Sequence, residues 1–357
     1  MKEKLSIVIP TYNEKDNITP LIERIHKALS AYSYEIVLVD DNSKDGTIEI
    51  ASALASRYPV KLLVRRDEKG LATAVVHGIK NASSNVICVM DADLQHPPEI
   101  IPDLVKALEN GADMAFASRY VPGGGCPRWG LVRRIISKGA IKISHVLLPS
   151  SRKVKDPMSG FFIFKRENVE TDRLKPIGYK IALEILMVGN FKNVAEVPFI
   201  FEDRTAGASK LRAGTQVEYL KHVFDLMLRT GEFKRVAKFI AVGISGVLVN
   251  MGVLALVRAF TDWNVYVQLI PGIEVSIITN FILNDFFTFA DRRTGRAASF
   301  FGRLVKFNFI ALAGAAINWG VASLLISVGL NVYLSNFIGI LIAFIWNYFL
   351  STVWAWR

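Results

Sequence analysis

Residues 85–96 read Asn-Val-Ile-Cys-Val-Met-Asp-Ala-Asp-Leu-Gln-His, an apolar run that passes directly into two carboxylates and a carboxamide. Short β-rich runs of this kind alternate with helix-patterned segments such as 18–31. These runs are 6–9, 35–39, 61–64, 85–90 and 113–117. The alternation, with strands that are almost continuously apolar, predicts a mostly parallel sheet covered by helices on both faces. Ligands of such sheets bind beyond the carboxyl ends of the strands, so the polar residues after each run are the candidates for chemistry.

Asp91, Asp93 and Gln95 follow the most apolar of these strands. If the extended conformation persists, their alternation points the three side chains the same way. Clustered carboxylates repel one another unless a cation lies among them, and oxygen-only ligands favour Mg²⁺ or Mn²⁺. His96 is the only nitrogen ligand nearby, and we leave it out because a histidine here more often caps a turn. The sequence therefore predicts a divalent metal site made by residues 91, 93 and 95.

Two further polar stretches close the first and second strands, Ile9-Pro10-Thr11-Tyr12-Asn13-Glu14 and Val39-Asp40-Asp41-Asn42-Ser43. The ring of Tyr12 can lie against a nucleotide base, and the carboxylates of Glu14 and Asp41 can accept hydrogen bonds from base or ribose donors. Taken alone, each stretch is equally consistent with a turn and a helix cap, because Asp, Asn and Ser satisfy free helix N–H groups.

The composition changes near residue 235. At 357 residues the chain is long enough for two domains, and we place an α/β domain at 1–230 and a membrane domain at 231–357. Four apolar segments in the second part are each long enough to span about 30 Å of hydrocarbon as a helix. They are 236–257, 265–289, 304–328 and 333–354. The net charge of +11 comes without a nucleic-acid-binding module, and indicates instead a membrane surface or a phosphate-bearing ligand.

Two segments of the first domain have the pattern of helices that lie in a membrane interface. In 128–148 the apolar residues follow helical spacing, whereas Arg134, Lys138 and Lys142 share another face. The alternative is an ordinary surface helix packed on the sheet. The second segment, 213–230, leads into the first apolar span and is expected to deliver the chain to the bilayer.

The connectors between the apolar segments differ in charge. Basic residues crowd the middle one, whereas the outer two carry only Arg258 and Asp262. The basic residues are Arg292, Arg293, Arg296, Arg303 and Lys306. By the positive-inside rule the middle connector is cytosolic, and the short N-terminal apolar run reads as a strand, not a signal peptide. The sequence thus predicts a multi-pass protein of the cell membrane whose catalytic domain and both termini are cytosolic.

The membrane segments also repeat. Lys238-Phe239, Gly246, Asn250, Gly252 and Val253 recur in the same order and spacing as Lys306-Phe307, Gly314, Asn318, Gly320 and Val321. The second helix of each pair matches more weakly, through Asn280-Phe281, Leu283, Phe287 and Phe289 against Asn347-Tyr348, Leu350, Trp354 and Trp356. We interpret this as a duplicated helical hairpin whose glycines permit close packing.

Taken together, the motifs of residues 4–230 resemble the family-two glycosyltransferases, which have the GT-A (Rossmann-like) fold. Within that family they resemble the polyprenyl-phosphate branch and its dolichyl-phosphate mannosyltransferases, and the remainder resembles the GtrA-type four-helix membrane module. The match runs through 9–14, 39–43, Gly70-Leu71 with Ala74, 91–96, Ala117-Ser118-Arg119-Tyr120, Asp156-Pro157-Met158-Ser159-Gly160-Phe161-Phe162, and Glu202-Asp203-Arg204 with Gly207, Ser209 and Lys210.

The resemblance implies transfer of mannose from GDP-mannose to dolichyl phosphate, with inversion at the sugar. It assigns Asp91, Asp93 and Gln95 to a Mg²⁺ or Mn²⁺ ion on the diphosphate, the two aspartates being catalytic through that ion. The nucleotide-sugar is held by Pro10, Tyr12, Glu14, Val39, Asp41, Asp91, Ala92 and Lys210, and the loop 204–210 closes over it.

The acceptor phosphate is already anionic, so it needs cationic orientation more than a general base. The candidates are Arg119, Arg133 and Arg204, together with Ser137 and with Lys210 from the closing loop. Asp156 is expected to orient the acceptor or the sugar.

Other readings stay open at this point, because no residue decides the base or the sugar. One is transfer of glucose or another sugar to undecaprenyl phosphate. Another is a transporter in which Glu274, Asn280, Asn284 and Asp285 line a pathway, Glu274 and Asp285 falling roughly on one helix face. A non-catalytic sugar-nucleotide-binding module is disfavoured because the predicted metal ligands are all present.

Overall fold

The computed structural model describes residues 4–202, 214–293 and 297–356. The chain divides into two compact units, Met1–Thr230 and Gly231–Arg357. The predicted positions Arg204 and Lys210 lie outside the described residues, as does Arg296 of the basic connector.

A mixed sheet forms the centre of the first unit. Its strands in the described part of the chain are β1 Leu5–Thr11, β2 Tyr34–Asp40, β3 Val60–Val64, β4 Val86–Val89, β5 Met114–Ser118, β6 Phe162–Lys165 and β7 Val194–Pro198. Their order is β3-β2-β1-β4-β6-β5-β7. β1 pairs in parallel with β2 and β4, whereas β6 runs antiparallel to both β4 and β5. All five strands predicted from the sequence are present, and the mostly parallel α/β sheet is confirmed.

Helices cover both faces of this sheet. They are α1 Lys15–Ala28, α2 Thr47–Leu54, α3 Leu71–Asn81, α4 Ile101–Glu109, α5 Leu131–Leu147, α6 Ile181–Val188 and α7 Gly214–Arg229. Successive side chains of β1 point to opposite faces, so Ile7 and Ile9 belong to one core cluster and Val8 to the other. Because both faces are covered, the strand is apolar almost throughout.

α5 and α7 keep apolar side chains on the surface. The Tyr219 hydroxyl on α7 donates a hydrogen bond to Ala140 O on α5 (2.6 Å), which ties the two helices together. Exposed apolar residues are Leu131, Val132, Ile135 and Ile136 on α5, and Val217, Leu220, Phe224 and Leu228 on α7. A helix pair with this much exposed apolar surface suits the boundary between water and lipid.

A buried ionic network fastens α7 to α6. The Glu184 carboxylate is fully buried and accepts hydrogen bonds from His222 Nε2 (2.7 Å) and from Arg229 Nη2 (2.8 Å). Burial alone would raise the pKa of Glu184, but the hydrogen bonds from His222 and Arg229 more than offset it and lower that pKa to about 2.

The second unit consists of long apolar helices. In its described residues these are α8 Glu232–Phe260, α9 Val265–Leu283, α10 Ala297–Ser327 and α11 Val332–Leu350, and a π-helical turn follows α9 and another follows α11. All four are long and apolar enough to cross a membrane, as the sequence predicted.

The two hairpins of this unit share their packing. A Cβ on Gly246 of α8 would clash with Asn280 of α9, and a Cβ on Gly314 of α10 would clash with Asn347 of α11. Each hairpin has a second such contact in the reverse sense, Gly272 on Asn250 and Gly339 on Asn318. Equivalent glycines therefore meet equivalent asparagines in both hairpins, which is the structural counterpart of the sequence repeat.

The two acidic residues considered for a transport pathway have different surroundings. Glu274 is exposed, whereas Asp285 is fully buried. Asp285 accepts hydrogen bonds from Arg303 Nε (2.8 Å) and from the Trp356 indole N–H (2.8 Å). Asp285 belongs to the π-helical turn Asn284–Thr288 that follows α9, whereas Glu274 lies within α9.

Candidate active site

The predicted metal ligands lie just beyond the carboxyl end of β4. Asp93 and Gln95 are buried, and the Asp91 side chain is 35% exposed. The strand ends at Val89, and Leu94 has a left-handed backbone (φ 61°). The alternation of an extended strand therefore does not continue through residues 91–95, contrary to the expectation.

His96, set aside in the sequence, holds the metal motif in place. Its Nδ1 accepts the backbone N–H of Asp91 (3.1 Å), and its buried ring stacks on Phe161 with the ring centroids 5.3 Å apart. Burial lowers the pKa of His96 to about 4, so at neutral pH the ring keeps the lone pair that this bond requires. Gly160 lies so close that a Cβ would be 3.2 Å from both Asp91 Oδ2 and His96 Cε1.

The donor set of the motif fits an open divalent-metal site. Gln95 Nε2 donates to Glu202 O (3.1 Å), which orients the amide, and Asp93 Oδ1 accepts the Gln95 N–H (3.2 Å). Among the described residues, no group of three or more His, Cys, Asp or Glu could enclose a metal ion. Two carboxylates and an amide oxygen suit a hard cation whose other ligands are water and substrate phosphate.

The predicted nucleoside residues fall into two groups. Tyr12 is exposed, and Lys69 Nζ lies 5.1 Å from the centroid of its ring. Glu14 accepts a hydrogen bond from Asn17 Nδ2 (2.8 Å). The side chains of Val39 and Ala92 are packed in the core, so only their main-chain atoms can reach a ligand.

Asp41 is engaged within the protein. Its carboxylate accepts from Arg65 Nε (2.7 Å), from Arg65 Nη2 and from the Gly70 N–H (2.7 Å). Arg65 also donates to Thr73 Oγ1 (2.9 Å), so this buried pair shapes the turn between β3 and α3. Arg65 was missed in the sequence, because nothing in its position after β3 shows which carboxylate it meets. A role for Asp41 at the nucleoside must use the acceptor capacity that remains, and Pro10 stands nearby at the end of β1.

Arg119 and Asp156 form a buried pair. Arg119 Nε and Nη2 donate to the two oxygens of Asp156 (2.7 and 2.8 Å), and the Arg119 N–H adds a third bond (3.1 Å). Burial alone would lower the pKa of Arg119, but the hydrogen bond to Asp156 raises it, so the guanidinium stays charged. The carboxylate expected to orient a ligand thus orients Arg119.

The structure brings the other described acceptor candidates to the same place. Arg133 lies 4.1 Å from the centroid of the Trp129 ring, and Arg119 lies 5.0 Å from it. Ser137 is joined to the same cluster by a hydrogen bond from Tyr120 (3.0 Å). A cavity of about 430 Å³ opens beside it, with Arg134 and Lys138 in its wall. A shallower depression of about 600 Å³ at the start of β5 and β7 contains none of the predicted residues.

Aromatic rings connect this cluster to the metal motif. The ring of Phe201 meets His96 at 5.7 Å and Trp129 at 5.3 Å between centroids.

Lys180, also missed in the sequence, donates to Met158 O (3.0 Å). Burial and then the charge of Arg119 lower the pKa of Lys180 to about 8. Trp129 and Lys180 are isolated in sequence, so no local pattern indicated them.

Comparison with known proteins decides the family. Residues 6–172 match the Glycosyl transferase family 2, and residues 238–356 match the GtrA/DPMS transmembrane domain. A dolichol-phosphate mannosyltransferase of Pyrococcus furiosus is 47% identical over 99% of both chains. The chain belongs to the dolichol-phosphate mannosyltransferase family. Family members from Saccharomyces cerevisiae and Mycosarcoma maydis are each 39% identical, over 63% and 62% of this chain and 88% and 78% of their own.

Membership confirms the enzyme class. The chain is a multi-pass membrane glycosyltransferase whose substrates are a nucleotide-sugar and a polyprenyl phosphate.

Solved structures share the fold of the first unit. Mannosyl-3-phosphoglycerate synthase of Rubrobacter xylanophilus has a TM-score of 0.51 at 17% identity, covering 64% of this chain and 76% of its own. Glucosyl-3-phosphoglycerate synthase of Mycobacterium tuberculosis, crystallised with Mn²⁺ and UDP, has a TM-score of 0.50 at 17% identity, covering 64% and 80%.

Proposed function

We propose that this member of the family transfers mannose from GDP-mannose to dolichyl phosphate, giving dolichyl phosphate mannose, by a metal-dependent inverting displacement at the membrane surface. The observation that carries the proposal is the pair of guanidiniums, Arg119 and Arg133, around one indole. Rings of Phe201 and His96 join this pair to the Asp91 motif. An anion-binding cluster thus stands next to a motif suited to a metal-bound diphosphate.

On the donor side, Asp91, Asp93 and Gln95 would hold Mg²⁺ or Mn²⁺. When bound, that ion neutralises charge on the departing diphosphate. Glucosyl-3-phosphoglycerate synthase of Mycobacterium tuberculosis, which shares the fold, was crystallised with Mn²⁺. Tyr12 and Glu14 hold the nucleoside, with main-chain atoms of Pro10, Val39 and Ala92, while Asp41 keeps the adjoining turn in shape. Lys210, with Arg204, is assigned to the loop that covers the donor.

On the acceptor side, a phosphate oxygen attacks the anomeric carbon while the bond from that carbon to the diphosphate oxygen breaks. The oxygen is already negatively charged, so no proton has to be removed by the enzyme. Arg119 and Arg133 orient the phosphate, with Ser137 as a neutral donor. Arg204 is assigned to the same group.

The exposed apolar faces of α5 and α7 support a location of this chemistry at the lipid surface. With the basic connector of the membrane unit on the cytosolic side, the catalytic unit and both termini are cytosolic. Nucleotide-sugar then reaches the site from the aqueous side, and the lipid phosphate reaches it from the bilayer.

The test is a donor and acceptor screen of the full chain in detergent. GDP-mannose, UDP-glucose and UDP-N-acetylglucosamine are each paired with dolichyl and undecaprenyl phosphate, and we expect GDP-mannose with dolichyl phosphate to give the highest kcat/KM. A preference for UDP-glucose with undecaprenyl phosphate would instead support the alternative transfer.

The metal assignment is tested separately. EDTA should abolish transfer and Mg²⁺ or Mn²⁺ should restore it. Asp93→Ala should remove activity and retain the melting temperature, whereas the matched change Asp103→Ala, at an exposed position on α4, should leave both unchanged. Full turnover by the metal-stripped enzyme would contradict the assignment.

A further inference from the structure

The indole of Trp129 contacts both arginines of the acceptor cluster. Arg133 Cζ is 4.1 Å and Arg119 Cζ is 5.0 Å from the centroid of its ring. Phe201 packs edge-on against the same ring at 5.3 Å and lies 5.6 Å from the Arg119 guanidinium. Both guanidiniums therefore share the ring of Trp129. Phe201 is a second and more distant shared ring, 5.6 Å from Arg119 Cζ and 5.9 Å from Arg133 Cζ.

The two distances limit the separation of the guanidiniums. Both distances are measured to the same ring centroid, so Arg119 Cζ and Arg133 Cζ are at most 9.1 Å apart, which is the sum of 4.1 and 5.0 Å. A phosphate that accepts one charge-assisted N–H···O bond of roughly 2.8 Å on each side can bridge a gap of this size. By distance, a single phosphate group is therefore large enough to contact both arginines.

Two like charges this close repel each other when no anion lies between them. The electron-rich face of an indole attracts a guanidinium and is the strongest of the aromatic side chains in this respect. Arg119 is also held by the buried Asp156, and Arg133 extends from an exposed position on α5. The contact with Trp129 restricts the rotamers of the long Arg133 side chain.

The indole N–H does not explain why tryptophan occupies this position. Trp129 Nε1 is buried and has no hydrogen-bond acceptor among the residues that the structure describes. Within the described part of the chain, no hydrogen bond therefore requires an indole at this position. The feature of Trp129 that its neighbours contact is its ring.

We propose that Trp129 is a positioning residue that holds Arg119 and Arg133 at the spacing of one bridging phosphate before the lipid arrives. This rests on the proposed role of the two arginines as the acceptor-phosphate site. Trp129 acts on the acceptor alone, through the arginines, and has no part in binding the donor or the metal.

The experiment measures acceptor and donor separately in the full-length protein. Trp129→Leu removes the ring and should raise the KM for dolichyl phosphate about tenfold, with kcat changed less than threefold and GDP-mannose affinity unchanged by direct titration. Trp129→Phe keeps a ring and should restore the acceptor KM to within about threefold of the native value. Trp319→Leu, the same change at an exposed position on α10, is the matched control and should leave every constant unchanged.

Three outcomes would overturn the proposal. They are an unchanged acceptor KM in Trp129→Leu, a loss confined to GDP-mannose affinity, and a loss in Trp129→Phe as large as that in Trp129→Leu. The last would show that the N–H, and not the ring, is required. If Trp129→Leu does not fold, Trp129→Met also lacks a π face, adapts to the site through its flexible side chain and makes the same test. If the native protein transfers nothing to any polyprenyl phosphate, the proposed function itself fails, which is a distinct result.

Discussion

The buried pair between Arg119 and Asp156 permits a quantitative prediction. The change Asp156→Asn keeps the shape of the side chain and removes its charge. Asp156 is fully buried and accepts three hydrogen bonds from Arg119, two of them from the guanidinium at 2.7 and 2.8 Å. Removing one partner of a buried pair leaves the other charge uncompensated and costs about 3–5 kcal/mol. For a unit of this size, such a loss lowers the melting temperature by on the order of 10 °C.

The same substitution releases Arg119 from its orientation toward the acceptor. Loss of one well-aligned charged hydrogen bond is worth about 1.5–3 kcal/mol, so kcat/KM for dolichyl phosphate should fall about ten- to a hundredfold. Thermal unfolding in detergent, acceptor kinetics and donor titration together make the assay. Asp172→Asn, which removes an exposed carboxylate paired with Lys80 at 2.7 Å, is the control and should change neither property. An unchanged melting temperature and acceptor KM in Asp156→Asn would refute the reasoning, and lost donor affinity alone would place Asp156 at the donor instead.

Two other predictions follow from the described contacts. The pKa of Glu184 is lowered to about 2 in the folded protein, below its usual value of 4.5. Its contribution to stability is therefore complete above pH 4.5 and is lost as the pH falls toward 2. Glu184→Gln should flatten the dependence of the unfolding free energy on pH in that window, and an unaltered pH dependence would contradict the network. For topology, single cysteines at Asp262 and Arg293, in a background without Cys88 and Cys126, should label from opposite sides of sealed vesicles. Labelling of both from one side would disprove the cytosolic placement of the basic connector.

The sequence predicted those strands that can be recognised from their own residues and the turns beside them. A short apolar run between polar turns is enough to identify β1 to β5, and all of these except β3 are buried along most of their length. β6 was missed since its residues follow the Asp156–Gly160 motif and read as the end of a loop. Its partners, β4 and β5, lie far away in the chain, and only that pairing makes it a central antiparallel strand. β7 was missed for a related reason, because it is only partly buried and follows a polar turn.

The candidate active site shows the same difference between features that local sequence predicts and features that depend on packing. Local motifs located Asp91, Asp93 and Gln95 at the carboxyl end of a strand, where parallel sheets bind ligands. The side chains that hold site residues in position lie outside these motifs. Arg65 binds Asp41 in this way, and Trp129 contacts Arg133. Such partners are set by three-dimensional packing, so neither spacing nor residue type reveals them in a single sequence. His96 belongs to the motif itself, but its role as a hydrogen-bond acceptor depends on the burial of its ring, which the sequence does not show.

The membrane unit shows how a duplicated hairpin becomes a single structure. Its two halves share their Gly–Asn contacts and their Lys positions, yet they differ where Asp285 stands, since the equivalent residue of the second hairpin is Thr352. The carboxylate of the first hairpin is bound by Arg303 and Trp356, both from the second. A buried carboxylate is tolerated only with such partners, and removing either partner leaves a charge or a donor unmatched. A position at which the two halves differ therefore supplies a buried contact that joins the two hairpins to each other.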